Sequence, residues 1–195
     1  MKKIIIVGGF PATGKSTFSR ELSQRLRIPV FNKDIIKEMI ADGFGPENAE
    51  FMNRNRSGSA ATFLLLLHIA EQFFQTGNVC IIESNFTMLY PQPLSESEQM
   101  KQLIAKYDYE CLTFAFTGDA DILGQRYDKR NDERHWVHTK FSKDVITNDC
   151  RHSKLDEINI GQTIKVDTTS FDAVDFEALY ETAKGFIANK GFIAN

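Results

Sequence analysis

Apolar residues recur along this chain in two rhythms, short unbroken runs and helical spacings, and the two alternate almost from end to end. Lys3 to Val7 is a β-branched run without polar interruption after its lysine, as in a strand covered on both faces of a parallel sheet. From Lys15 to Leu26 the residues Phe18, Leu22 and Leu26 recur every fourth position, which predicts an amphipathic helix. A short strand at Pro29 to Phe31 and a helix from Asp34 to Ala41 follow, and the Gly43–Pro46 segment breaks that helix. Ser57 to Phe74 predicts a strongly apolar helix closed by Gly77, with His68 expected in the core because it lies inside a leucine run. Val79 to Ile82 and Tyr109 to Phe116 read as further buried strands. A helix from Asp119 to Glu133, a polar mixed stretch to Ile160, a strand from Thr163 to Val166 and a helix from Asp172 to Ala188 complete the chain. The order β-α-β-α-α-β-α-β-α-β-α predicts an α/β fold, a doubly wound parallel sheet of about five strands with helices on both faces.

Composition sharpens this picture only in part. With 195 residues, 42% of them apolar and 25% charged, the chain is expected to form a single domain over 1–195 with a small helical lid near 118–150. A net charge of −3 gives no footing for non-specific binding to nucleic acid or anionic membrane, so nucleic acid is not the favoured partner, although a local basic site would admit it. The cysteines, Cys80, Cys111 and Cys150, are odd in number and widely spaced, which argues against a disulfide framework and for a reduced, cytoplasmic setting. No run approaches the roughly 20 apolar residues that span a bilayer. The KGFIAN of Lys184–Asn189 recurs at Lys190–Asn195 and reads as a local duplication without function of its own.

Chemistry enters at the end of the first strand. Gly9-Phe10-Pro11-Ala12-Thr13-Gly14-Lys15-Ser16 fits G-x-x-x-x-G-K-[ST], with Thr17 opening the helix behind it. Glycines admit dihedrals closed to other residues, so successive amides of Ala12, Thr13 and Gly14 can turn inward around a phosphate. The helix that begins there adds its positive end. Lys15 is placed to reach the β- and γ-phosphates of ATP, and the Ser16 hydroxyl to ligate Mg²⁺. By composition alone the pattern arises in about 1% of chains this long. Here it also lies between a buried strand and an amphipathic helix, where its mechanism requires it.

Three further features narrow the class. Asp34, just past the second strand, is placed to orient or accept the proton of an attacking hydroxyl, with helix capping as its plain alternative. Glu83, at the end of CIIES, is expected beside the phosphate loop, holding a water of the Mg²⁺ shell, with Asn85 and Phe86 lining an acceptor pocket. Arg126, Arg130 and Arg134 are spaced every four residues and would share one stripe of a closing helix, where arginines neutralise a transferring phosphoryl group. A solvated face paired with Asp128, Asp132 and Glu133 is the alternative. Arg54 and Arg56 read as exposed loop arginines, with contact to an anionic acceptor as the other option. No guanine-reading N-K-x-D occurs after a late strand, since Asn32-Lys33 precedes Asp34-Ile35 near the second one.

GGFPATGKST, KDIIKEM, IIESNF, QRYDKRNDERHWVH and VDTTS, in that order, resemble the predicted small AAA-type P-loop kinases related to zeta-toxin-type kinases, polynucleotide 5′-hydroxyl kinases and chloramphenicol phosphotransferase. The resemblance covers about residues 3 to 170 and is most specific at the phosphate loop. It implies ATP as donor, a hydroxyl acceptor, Asp34 as base, Arg126 and Arg130 as lid contacts, and Asp167–Ser170 beside the adenine. Two positions depart from the family: Glu83 stands where many relatives have Asp, and His135-Trp136-Val137-His138 lacks a Pro-Gly between its histidines. The reading is an ATP- and Mg²⁺-dependent kinase acting on a hydroxyl of a small molecule. A polynucleotide or nucleotide kinase and a non-catalytic ATP-binding switch are the alternatives.

Overall fold

The computed structural model describes residues 2–53, 57–86, 94–155 and 157–189. Arg54, Arg56 and the second KGFIAN lie outside them. Five strands form one sheet: β1 (Lys3–Gly9), β2 (Val30–Asn32), β3 (Cys80–Glu83), β4 (Glu110–Thr117) and β5 (Gln162–Asp167). They are ordered β2-β3-β1-β4-β5, and every pairing is parallel. β1 is central, and the sheet is extended in opposite directions on its two sides. The ends of β1, β3 and β4 therefore open a crevice at their carboxyl edge, the position where sheets of this topology take ligands.

The period-two alternation of β1 sends Ile4 and Ile6 to one face and Ile5 and Val7 to the other. On the first face, α4 (Ser57–Gln75) supplies Phe63, Leu66, Ala70 and Phe74, and α5 (Glu96–Tyr107) supplies Met100. On the second, α1 (Lys15–Leu26) supplies Phe18 and Leu22, and α8 (Phe176–Ala188) supplies Tyr180 and Ala183. Burial of these faces is what holds the sheet, since each large aliphatic or aromatic side chain contributes about 1.5–3 kcal/mol when removed from water. Of the remaining helices, α2 (Lys33–Phe44), α6 (Ala120–Lys129) and α7 (Lys143–His152) border the crevice, and α3 (Ala49–Asn53) packs on α4.

Three expectations are corrected. His68 is exposed, because the buried face of α4 runs through Phe63, Leu66, Ala70 and Phe74 and turns Leu64, Leu65 and His68 outward. The helix expected to reach Glu133 stops at Lys129, passes through a tight 3-10 turn at Asn131–Glu133 and is extended at Arg134 (φ −73, ψ 143). No apolar side chain lies between Tyr127 and Trp136 to hold a helix on the core. The arginines at 126, 130 and 134 therefore do not share one helical stripe. The polar stretch after 134 contains α7, which packs on α6 with Ile146, Thr147 and Cys150 buried and so offers few apolar positions to mark it.

Candidate active site

The phosphate loop is built from β1 outward. Gly9 has φ 114, and a Cβ there would lie 2.0 Å from the Phe116 carbonyl oxygen, so only glycine lets β1 turn beside β4 at this point. The Phe10 amide donates to the Phe116 carbonyl (3.0 Å), and the Thr13 hydroxyl donates back to the Phe10 carbonyl (2.8 Å). Ala12 (φ 60) and Gly14 (φ 83) take left-handed conformations, and Gly14 begins α1 with no side chain capping it. An uncapped first turn leaves amides available to an anion, which the helix dipole also favours. Lys15 is buried and donates to the Phe10 carbonyl. Burial pushes its ammonium down to about 8, with Glu83 and then Asp34 acting in the opposite sense. A sequestered cation beside unspent amides fits a polyphosphate.

Glu83 ends β3 in register with Val7 of β1 and Asn32 of β2. Its two carboxylate oxygens accept from the Ser16 hydroxyl (2.6 Å) and the Ser19 hydroxyl (2.5 Å). Ser19 was not among the expected site residues; it lies one helical turn from Lys15, which is the signal that points to it. A hydroxyl and a carboxylate meeting at the mouth of the loop form a donor set suited to a hydrated Mg²⁺.

Asn32, rather than Asp34, holds the start of α2. The Asn32 side-chain oxygen Oδ1 accepts from the amides of Asp34 (2.8 Å) and Ile35 (3.1 Å), so Asn32 is the cap of α2. The Asp34 carboxylate accepts no hydrogen bond among the described residues and faces the cavity. That cavity, about 790 Å³, is lined by the loop from Pro11 to Thr17 and by Asp34, Lys37, Glu83, Asn85, Arg130 and Arg134, among others. Asn85 lines it as expected, whereas Phe86 turns into the core against Phe63.

The segment after β4 forms the far wall. Phe10 of the loop packs with Leu123, Tyr127, Ile146 and Cys150, so α6 and α7 rest directly on the phosphate loop. Val137 is fully buried against Ala41 and Met52, which pins the turn after α6 to α2. Beside it His138 donates to Glu38 (2.7 Å), His135 donates to Asp42 (2.8 Å), and Lys37 donates to the Val137 carbonyl (3.1 Å). Arg130 lines the cavity. Arg126 does not: it donates to the carbonyls of Thr168 (2.6 Å) and Thr169 (3.0 Å) and lies over the Phe171 ring. Arg126 is thus joined to the loop after β5, where the Asp167 carboxylate is held below its usual range by the Thr169 hydroxyl and amide.

Fold and loop together define a P-loop nucleotide-binding protein with the architecture of small kinases. The profile of the AAA domain family matches residues 4–147, more than half of the chain, and the protein belongs to that family. No curated protein matches it. Among solved structures, a provisionally assigned kinase from Chloroflexus aurantiacus is 26% identical, with a TM-score of 0.75 over 95% of each chain. Shikimate kinase from Acinetobacter baumannii in complex with shikimate is 14% identical, with a TM-score of 0.59 over 96% of this chain and 93% of that one. A sugar kinase from Janibacter is 16% identical, with a TM-score of 0.57 over 96% and 95%. At such identities the last two share the fold.

Proposed function

We propose that this protein is a kinase that transfers the γ-phosphoryl group of ATP, with Mg²⁺, to a hydroxyl group of a small molecule. The observation that carries the reading is the meeting of Lys15 and Asp34 in one cavity, a buried cation on the phosphate loop and an uncommitted carboxylate at the start of α2. A binding module has no use for the second group. The names of the similar structures, a sugar kinase and a shikimate kinase among them, point the same way.

Bound MgATP would supply an electrophilic phosphorus. Lys15 and the loop amides from Ala12 to Ser16 hold negative oxygens, and Ser16 with Glu83 holds the metal side. Asp34 orients the acceptor hydroxyl and takes its proton. Arg130, on the segment from 118 to 150 that we assign as the lid, sets positive charge over the transferring group. Arg126, held against Phe171, borders the nucleotide base instead.

The test is incubation with γ-labelled ATP and Mg²⁺ against pooled acceptors: nucleosides, sugars, aminoglycosides, chloramphenicol-like compounds and 5′-hydroxyl oligonucleotides. Label is expected in a small-molecule pool. Label confined to oligonucleotides would replace the small-molecule acceptor with nucleic acid, and ATP binding without any transfer would leave an ATP-binding switch. In an active preparation, Glu83→Gln is expected to raise the Mg²⁺ needed for half-maximal rate by about 10- to 100-fold. A magnesium titration checks this, and an unchanged midpoint would remove Glu83 from the metal side.

A further inference from the structure

The kinase reading leaves part of the cavity wall unexplained. Asp34, Lys37 and Glu38 fall within one turn of α2 and therefore on one face, and all three line the cavity. Arg134 faces the same space from the turn after α6, with its guanidinium 4.7 Å from the centre of the Tyr127 ring. No carboxylate bonds to Arg134 among the described residues, and its Nε is buried without a hydrogen-bond partner. Of the acids nearby, Glu38 is engaged by His138 and Asp42 by His135, while Glu133 lines the cavity without bonding to Arg134. A guanidinium without a carboxylate partner is unfavourable in a partly buried wall, and an anionic ligand at its terminal nitrogens would supply one.

We propose that the acceptor of this kinase is a small hydroxylated anion, a carboxylate or a phosphate ester, whose charged group is held between Arg134 and Lys37 while its hydroxyl meets Asp34. The inference rests on the kinase reading for the hydroxyl and on the cavity wall for the anion.

The charges sort into two groups that share one member. Glu83, Asp34 and Arg130 act on Lys15, whereas Asp34, Lys33 and Arg134 act on Lys37. Asp34 thus lies between a phosphoryl side, with Lys15 and Arg130, and an acceptor side, with Lys37 and Arg134. Burial lowers the Lys37 ammonium below its ordinary range, with Lys33 and Arg134 adding to the effect and Asp34 opposing it. Lys33 itself is committed to the buried Glu96, so it is not the ligand. Lys37 and Arg134 both line the cavity, and an anion can pair with them where a neutral polyol cannot. Three residues of helix separate Asp34 from Lys37 by about 4.5 Å along the axis, so a compact molecule with its anion a few bonds from the hydroxyl spans them.

The decisive experiment fills the phosphate loop first. The full chain is saturated with Mg²⁺ and the non-hydrolysable analogue AMPPNP, and inorganic phosphate is then titrated by calorimetry. One further binding event is expected, weakened at least about 10-fold in Arg134→Gln and largely retained in Arg134→Lys, as a charge contact predicts. AMPPNP affinity and melting temperature serve as the folding controls in all three proteins. Absence of the second event, or equal binding by the Gln variant, overturns the proposal. Glycerol, glycerate and glycerol 3-phosphate form a matched set for label transfer. Preference for glycerate or for glycerol 3-phosphate names the anion, and equal or better transfer to glycerol overturns the proposal while leaving the kinase. Phosphate binding that depends on Arg134, with no transfer to any acceptor, keeps the anion site and defeats the kinase reading.

Discussion

Lys15→Ala is expected to lower phosphoryl transfer by about 10²- to 10³-fold, the loss typical of removing one preorganised group at developing negative charge. The side chain is 7% exposed, and burial is the largest influence on its ammonium, bringing it down to about 8. Two consequences separate this loss from unfolding. In the unfolded chain the same group titrates near 10.5, so between about 8 and 10.5 the unfolded state binds more protons and stability rises with pH. Below that window the buried charge costs on the order of 3 kcal/mol, so the alanine variant should melt no earlier than the parent at pH 7. The second consequence concerns protons. Phosphate oxygens beside the ammonium raise its pKa again, so nucleotide binding near pH 8 should take up a proton. Calorimetry in buffers of different ionisation enthalpy reads that uptake, which Lys15→Ala should abolish. Full turnover in the variant would remove Lys15 from the mechanism.

Asp34→Asn is the second large effect, expected to reduce turnover by about 10²- to 10⁴-fold while leaving nucleotide affinity close to that of the parent. The substitution keeps the size of the side chain and removes its capacity to accept a proton as an anion. Helix α2 is spared, because its cap is Asn32 and not Asp34. Measuring turnover and nucleotide dissociation on the same preparation checks this. Weakened nucleotide binding with normal turnover would move Asp34 to the phosphate side. The converse substitution, Asn32→Ala, would lose the two amide contacts of the cap and also the weak contact from the Asn32 amide to Ser16. The two neighbours thus act through different links, one through chemistry and the other through local structure.

Some elements were readable because their determinants are contiguous. β1 is a run of isoleucines with a valine, and a strand buried on both faces needs no more than that. α1 was readable from Phe18, Leu22 and Leu26, all of which pack on the second face of the sheet. α5 was implied by the alternation but not located, although Ser95 and Glu98 form a capping box that marks its start. α7 is not legible because Ile146 and Cys150 are its only buried apolar residues, too few to mark a helix. The leucine run of α4 was over-read: a helix against a sheet buries one stripe, so Leu64, at 48% exposed, and His68 lie on the other side.

What the sequence determined by itself is therefore local: the phosphate loop, with glycines at the two positions whose φ values exclude side chains, and the alternation that yields a parallel sheet. What only the tertiary structure decided is the partnership of residues far apart in the chain. Ser16 and Glu83 are 67 residues apart and His138 and Glu38 are 100 apart, and neither pair leaves a mark on local spacing. The arginines at 126, 130 and 134 show the same limit. Their four-residue spacing predicts one stripe, but the helix ends between them for want of apolar contacts, and Arg126 turns to the loop after β5 while Arg130 and Arg134 line the cavity. A backbone dihedral is set by its own residue and its neighbours. The direction in which a charged side chain faces is set by whatever elements the rest of the fold brings against it.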